Sequence, residues 1–370
     1  MSRNITAANA CLVLLLGGAS LSPANAQSYR RPLGVYAHVD IDSAITYASK
    51  NIPHYNSMTM AEQHIALQGL YEGLLSDTAI SGIAAGAHWG QIQLSSPLCT
   101  VERNCAPFTE NGYLWDYVDD VFIAANAKNK SVQLIVIPGV DTPGWVLQQI
   151  QSCDGMFISA TDATGYAPAD CGTVVFKGYP EESHGDTHIL PLPWNTTYIN
   201  AWAYFLGILN GRYYSNTAFV AITVAGPTCA STEMILPTTA NGSIQKKSGM
   251  PADQAWAALI AHSFPGVNNY QASDQVFIDY WKQAIDLYEQ TFRGITLIVS
   301  PDSGDDLSEI EALLARLDNI QPSRVLLMPE GTDSETLHRR ARMLVRPVMD
   351  RNWRLTQRLH IDLFGNTKGT

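Results

Sequence analysis

The sequence predicts an α/β fold, a (β/α)8 TIM barrel of which about six strands are recognisable. Three observations lead there. Short, continuous apolar runs of the kind buried on both faces recur along the chain between Gly, Pro and Asn residues. Longer stretches with apolar residues at helical spacing alternate with them. A 370-residue chain, less a 26-residue leader, is long for a single sandwich and normal for one large barrel. A doubly wound open sheet is the competing arrangement, and six successive units favour the barrel.

The first strand is expected at Gly34–His38 (GVYAH), followed by a helix over Ile65–Leu75 with apolar residues at 65, 67, 70, 71 and 74. The second, Ile80–Trp89 (ISGIAAGAHW), is rich in Gly and Ala and implies close backbone approach. A helix at Tyr117–Ala127 precedes the third strand, Val132–Pro138 (VQLIVIP). Between strands three and four lies a long irregular insertion, Asp141 to about Trp194. A helix at Tyr198–Leu209 leads to the fourth strand, Phe219–Ala225, and helices at Ala252–His262 and Asp274–Phe292 lead to the fifth, Ile295–Val299. A last helix, Asp306–Leu317, precedes the sixth strand, Arg324–Met328.

Three regions follow: a leader at 1–26, a barrel domain at 27–330 and a basic tail at 331–370. Arg3, the apolar run Ala7–Leu16 and Ala24-Asn25-Ala26 form a signal peptide with a cut expected after Ala26. That apolar run is well short of the ~20 residues needed to span a bilayer. The mature chain is therefore expected to be periplasmic or secreted, with no membrane attachment after cleavage. A hydrophobic content of 46% and a charged content of 15% describe a globular protein with a large core. The net charge of -11 argues against nucleic acid and anionic membranes as partners.

Cys99 with Cys105, and Cys153 with Cys171, are candidate disulfides in an oxidising compartment, leaving Cys229 over. No CxxC or HExxH pattern occurs, and neither metal nor cofactor is expected. His184 and His188, beside Glu181, Glu182 and Asp186, form the alternative: a loop metal site.

Parallel α/β folds place functional groups at the C-terminal ends of their strands. Those positions hold Tyr36 and His38, then His88 and Trp89, then Asp141 and Trp145, then Trp194 and Asn195 after the insertion. Three tryptophans beside Gly or Pro, with hydrogen-bonding neighbours, are the residue types that bind sugars: flat apolar faces for C–H groups and polar atoms for hydroxyls. These eight are the candidate substrate-binding residues. Glu233, just after strand four, is the candidate catalytic carboxylate. Glu330 and Asp302 are weaker candidates for the second carboxylate that glycoside hydrolysis requires. Cys229 reads as a small buried residue; the other reading, a thiol nucleophile, needs an activating His.

The run Ala79–Trp145 resembles the front half of the (β/α)8-barrel clan of glycoside hydrolases, such as the family 42 β-galactosidases. The resemblance rests on Tyr113-Leu114-Trp115-Asp116, on Thr142-Pro143-Gly144-Trp145, on the Pro-Trp-Asn loop, on Arg212-Tyr213-Tyr214, and on a strand ending Gly-Pro before Glu233. It covers roughly residues 30–300. It implies glycoside hydrolysis with Glu233 as general acid/base and a carbohydrate as partner. The chain departs from the pattern where the clan's Asn-Glu pair reads Thr232-Glu233, and no strand seven with its nucleophile is found. From Arg316 onward nine Arg and one Lys fall in 55 residues, against thirteen Lys+Arg in the 315 before. Two readings of this tail stay open: an amphipathic surface helix, or a stretch where the reading frame has drifted or the chain is truncated. Sequence leaves the oligomeric state unassigned.

Overall fold

The computed structural model describes residues 10–14, 30–96, 111–157, 169–178, 187–226, 237, 243–244, 250–267, 270, 275–298, 311, 325–329 and 333–355. The first half runs β1 (Ala10–Leu14), β2 (Val35–Asp40), α1 (Ile41–Asn51), α2 (Met60–Leu75), β3 (Ile80–His88), α3 (Trp89–Ile92), α4 (Asp116–Ala127), β4 (Ser131–Ile137) and α5 (Gly144–Leu147). Next come β5 (Thr173–Lys177), β6 (Thr187–Pro191), α6 (Thr196–Tyr213), β7 (Phe219–Thr223), β8 (Ser243–Ile244), α7 (Ala252–Ser263) and α8 (Gln275–Thr291). The last described elements are β9 (Thr296–Ile298), β10 (Val325–Pro329), α9 (Ser334–Asp350) and β11 (Arg354–Leu355).

The protein is α/β. Five strands form one parallel sheet in the order β2-β3-β4-β7-β9. Each of the six strands expected from apolar runs lies within two residues of an observed one. The sixth, β10, pairs elsewhere: antiparallel to β1 and parallel to β11. Along the five-stranded sheet, spatial order follows chain order without the reversal that marks a doubly wound sheet.

Contacts divide the chain into two compact units, one of Pro32–Phe219 with Ala225–Thr291, the other of Met1–Arg31, Val220–Val224 and Phe292–Thr370. In the larger unit, β3 is buried on both faces from Gly82 to Ala87, while the period-2 alternation of β4 sends Val132, Leu134 and Val136 into full burial. Against β3 pack α2, which buries Leu67, Tyr71 and Leu75, and α4, which buries Val121, Phe122 and Ala125 among others. A capping box starts α2: the Thr59 side chain accepts from Glu62 N, and Glu62 accepts from Thr59 N.

The insertion expected to be irregular is ordered in part. β5 and β6 pair antiparallel from Thr173↔Pro191 to Lys177↔Thr187, and β8 extends them to a sheet of order β6-β5-β8. The expected Cys153–Cys171 disulfide closes the chain leading into β5. Val174, Phe176 and Leu190 of this sheet share a second core with Trp194, Trp256 and Phe277. Cys99 and Cys105 lie outside the described residues.

In the smaller unit, β7 and β9 pair parallel from Ala221↔Thr296 to Thr223↔Ile298. The basic tail contains α9, whose buried stripe is Leu337, Ala341, Leu344 and Val348, at the spacing of one helix face. Asp333 caps it, accepting from Thr336 N at 2.8 Å. Within residues 1–26, Ala10–Leu14 is the strand paired with β10. Among the described residues no helix is long and apolar enough to cross a membrane.

Candidate functional site

The C-terminal ends of β2, β3 and β4 bring Asp40, His88 and Asp141 together. Asp40 ends β2 and is also the N-cap of α1, its Oδ1 accepting from Ser43 N at 2.8 Å. His88 ends β3, in register two residues beyond the Asp40↔Gly86 pair. Asp141 closes the tight turn after β4, where Gly139 takes φ 61, a left-handed value that glycine adopts without strain. Thr142 Oγ1 donates to Gly139 O at 2.6 Å and fixes that turn.

His88 Nδ1 stands 2.8 Å from Asp141 Oδ2, and His88 Nε2 stands 3.4 Å from Asp40 Oδ2 and 3.9 Å from Asp42 Oδ2. A carboxylate on each ring nitrogen makes both nitrogens donors, so the ring is an imidazolium. The bonds to Asp141 and then Asp40 raise the His88 pKa to about 10, against the opposing effect of burial. At Asp40 burial pushes upward, but the bonds from His88 and Ser43 outweigh it and lower the pKa to about 2. Near neutrality both groups are locked in their charged forms. Gln91 Nε2 donates to Asp42 Oδ2 at 2.5 Å and holds the third carboxylate.

Beside this array a cleft of about 270 Å³ opens between α1, the segment after β3 and the start of α4. Its lining includes the polar residues Asp42, His88, Gln91 and Tyr117 and the apolar residues Ile41, Ile45, Ile92, Leu94, Leu114 and Val118.

The other expected binding residues separate into groups. Tyr36 and His38 share one face of β2 with Asp40, and a Cβ at Gly82 would meet the Tyr36 ring at 2.4 Å. Trp89 is not a sugar platform: its ring is fully enclosed, packed against Trp202 and Phe205. Its one polar atom is satisfied inside, Nε1 donating to Gln93 Oε1 at 2.8 Å. Trp194 likewise belongs to the second core, against Trp256 and Phe277. Asn195 is the N-cap of α6, its Oδ1 accepting from Tyr198 N at 3.0 Å. Trp145 on α5 is half-buried, and its Nε1 has no hydrogen-bond partner among the described residues. Glu233, Cys229, Asp302, Glu330, His184, Glu181, Glu182 and Asp186 lie outside the described residues. His188 is on β6. Among the described residues no group of three or more His, Cys, Asp or Glu is placed to hold a metal ion.

Asp40, Asp42 and Gln91 were not anticipated from the sequence. The signal was present, for Val39-Asp40-Ile41-Asp42 directly follows an apolar strand and precedes a helical stretch, the position of an N-cap at a strand's C-terminal end. Compared with protein-family models and with curated proteins, the chain has no significant match to any.

Chemically, the array offers acceptors. Three carboxylates converge on one fixed cation, and each keeps lone pairs beyond those His88, Ser43 and Gln91 occupy. A ligand rich in hydroxyl donors matches such a surface. Proton transfer near neutral pH does not suit His88 or Asp40, since neither titrates there.

Proposed function

We propose that this protein is an exported glycoside hydrolase of the (β/α)8-barrel clan, similar to the family 42 β-galactosidases. The observation that carries the carbohydrate reading is the Asp40–His88–Asp141 bridge at the ends of three adjacent parallel strands, where such barrels bind their substrates. Strand order that follows chain order supports the barrel over the doubly wound sheet. In this reading sugar hydroxyls donate to Asp40, Asp42 and Asp141, while His88 holds those carboxylates apart and in place. Glu233 protonates the leaving oxygen as general acid, a role implied by the resemblance alone. A second carboxylate about 5–5.5 Å away would give retention, and one about 6.5–9.5 Å away inversion.

A second reading is a carbohydrate-binding protein without turnover. The locked charges of His88 and Asp40 favour it, because the best-defined cluster is built to bind and not to move protons.

A panel of chromogenic glycosides, assayed with wild type and Glu233→Gln, separates the two. Hydrolysis that Glu233→Gln reduces by about 10²-fold or more supports the enzyme. Calorimetric sugar binding with no hydrolysis in either protein leaves the binding reading. No binding and no hydrolysis across the panel removes both. Export is tested by the intact mass of protein secreted from a host carrying the full gene, which should correspond to a chain beginning at Gln27.

A further inference from the structure

We propose that β10 is a pairing edge for a second copy of this chain. In the intact chain Ala10–Leu14 covers that edge, and removal of residues 1–26 uncovers it. The inference rests on the export reading above, in which those residues are cut away, and goes beyond it to the assembly that the cut produces.

β1 and β10 pair along their whole lengths, from Ala10↔Pro329 to Leu14↔Val325. On its other side β10 pairs parallel with β11 at Leu326↔Arg354 and Leu327↔Leu355. It is therefore the middle strand of a three-stranded sheet, and cutting after Ala26 takes away the longer of its two neighbours. The main-chain N–H and C=O groups that face β1 then lose their partners, along an edge of sequence Val-Leu-Leu-Met-Pro. An open apolar edge is a template for another strand. What this edge accepts is on view in the structure: an extended apolar segment of five residues, running antiparallel.

β10 of a second copy meets that description. A strand laid antiparallel on its own copy lies across a twofold axis, so one edge serves both partners and the assembly closes at two. With Leu327 at the centre, Val325 of each copy lies opposite Pro329 of the partner subunit, and again five residues meet five. The sequence carries a cation directly before the strand, Arg324, and an anion directly after it, Glu330. The same register sets Arg324 of each copy opposite Glu330 of the partner subunit, a favourable cross-strand pair at both ends. Pro329 has no N–H to donate and ends the ladder there, as it does against Ala10. The edge is short, so association is expected to depend on concentration.

The test is sedimentation velocity over a dilution series, on the intact chain from cell-free synthesis and on the protein secreted by a host carrying the full gene. Intact mass reports where each begins, and circular dichroism checks each fold. Two variants of the secreted form accompany them: Glu330→Arg, which sets Arg against Arg, and Arg324→Glu with Glu330→Arg, which restores both pairs in reverse. The secreted form is expected to begin at Gln27 and to reach twice the monomer mass where the intact chain stays monomeric. Glu330→Arg is expected to weaken association about tenfold, and the double variant to recover it. Hydrogen exchange at residues 325–328 is expected to be slow in the intact chain and in the dimer, and to quicken as the secreted form is diluted. A secreted form that begins at Gln27 and stays monomeric overturns the pairing edge and leaves the export reading standing. Equal association by the intact chain overturns it too, because Ala10–Leu14 then covers nothing that the dimer uses. So does a dimer that ignores the charge variants and leaves residues 325–328 unprotected, by placing the interface elsewhere. Absence of secreted protein, or a secreted form still beginning at Met1, removes the export reading. The edge is then judged on a chain begun at Gln27 by cell-free synthesis, where a dimer supports it and a monomer overturns it.

Discussion

His88 Nδ1 and Asp141 Oδ2 meet at 2.8 Å, joining the end of β3 to the turn that follows β4. The bond does more than link two loops. With Asp40 on the opposite nitrogen, it keeps a residue ordinarily poised near neutrality charged until the pH approaches about 10. The three carboxylates around it can then lie close together without driving one another apart.

Replacing His88 by Gln should lower unfolding free energy by about 2 kcal/mol at pH 6, as expected for loss of charge-assisted hydrogen bonds. The sign of the pH dependence follows from its raised pKa. The His88 contribution is complete below the ordinary value of 6.5 and is lost as pH rises through about 10. Asp40, lowered from 3.8 to about 2, contributes above 3.8 and loses that contribution as pH falls through about 2. Urea unfolding at pH 6, 8 and 10 should therefore show wild type converging on His88→Gln towards the alkaline end. Parallel curves at all three values would show that His88 carries no raised pKa.

Gly90 makes the Asp141 turn reachable. A Cβ at Gly90 would sit 2.7 Å from Asp141 O, a backbone atom that cannot swing aside. Gly90→Ala should cost about 1–3 kcal/mol as overpacking, and should move Asp141 off His88. The NMR titration of the His88 ring should then fall below about 10. Gly69 in α2 is the matched control, with nothing within 4 Å of its Cβ position. Gly69→Ala should stabilise by about 0.5–1 kcal/mol through helix propensity alone and leave His88 unchanged.

Much of the scaffold was legible in the sequence because buried parallel strands are continuous apolar runs. VQLIVIP and FVAITVA have few other stable fates. His88 and Asp141 were legible for the same reason, as polar residues directly following such runs. The tryptophans were not. A Trp after a strand satisfies the same local pattern whether its ring turns outward or inward, and at Trp89 the choice is made by Gln93 and Trp202, residues further along the chain. Asn195 shows the same ambiguity, since a loop Asn before a helix serves equally as ligand contact or N-cap. The β5–β6 hairpin was masked by polar residues at 177 and 187–188, where pairing decides the structure and apolar periodicity does not.

Asp120 tests a buried polar network that reaches the cleft through His64, whose ring lies 4.8 Å from that of Tyr117. It is almost wholly enclosed on α4, accepting from Gln68 Nε2 at 2.7 Å and facing His64 Nδ1 at 2.6 Å. Burial raises its pKa against the lowering effect of those two partners. A carboxyl raised in the fold favours folding more at low pH than at high, so its charge is a net cost near neutrality. Asp120→Asn should therefore change stability by less than about 1 kcal/mol at pH 7, since the amide oxygen still accepts from Gln68. Asp120→Ala should lose about 1–3 kcal/mol by leaving Gln68 and His64 without their acceptor. Urea midpoints for the two variants decide between them. A loss from Asn as large as that from Ala would mean that the charge itself is stabilising.

The Cys153–Cys171 bond bears on both stability and compartment. Its residues are 18 apart, and a loop of that length contributes roughly 3 kcal/mol by restricting the unfolded chain. The double variant Cys153→Ala/Cys171→Ala should lose about that much, with the loss concentrated in the sheet of β5, β6 and β8, whose entry the bond ties down. Backbone pairing at the same place limits the damage, since Cys153 N still donates to Thr173 O at 2.7 Å. Wild type in reducing agent should fall to the stability of the double variant, and the variant should not respond to reducing agent at all. Protein made in a reducing cytosol should match the reduced form, whereas protein made in an oxidising compartment should carry the bond, because such bonds persist where the surroundings are oxidising. Exported protein whose two thiols remain open to alkylation would count against the bond.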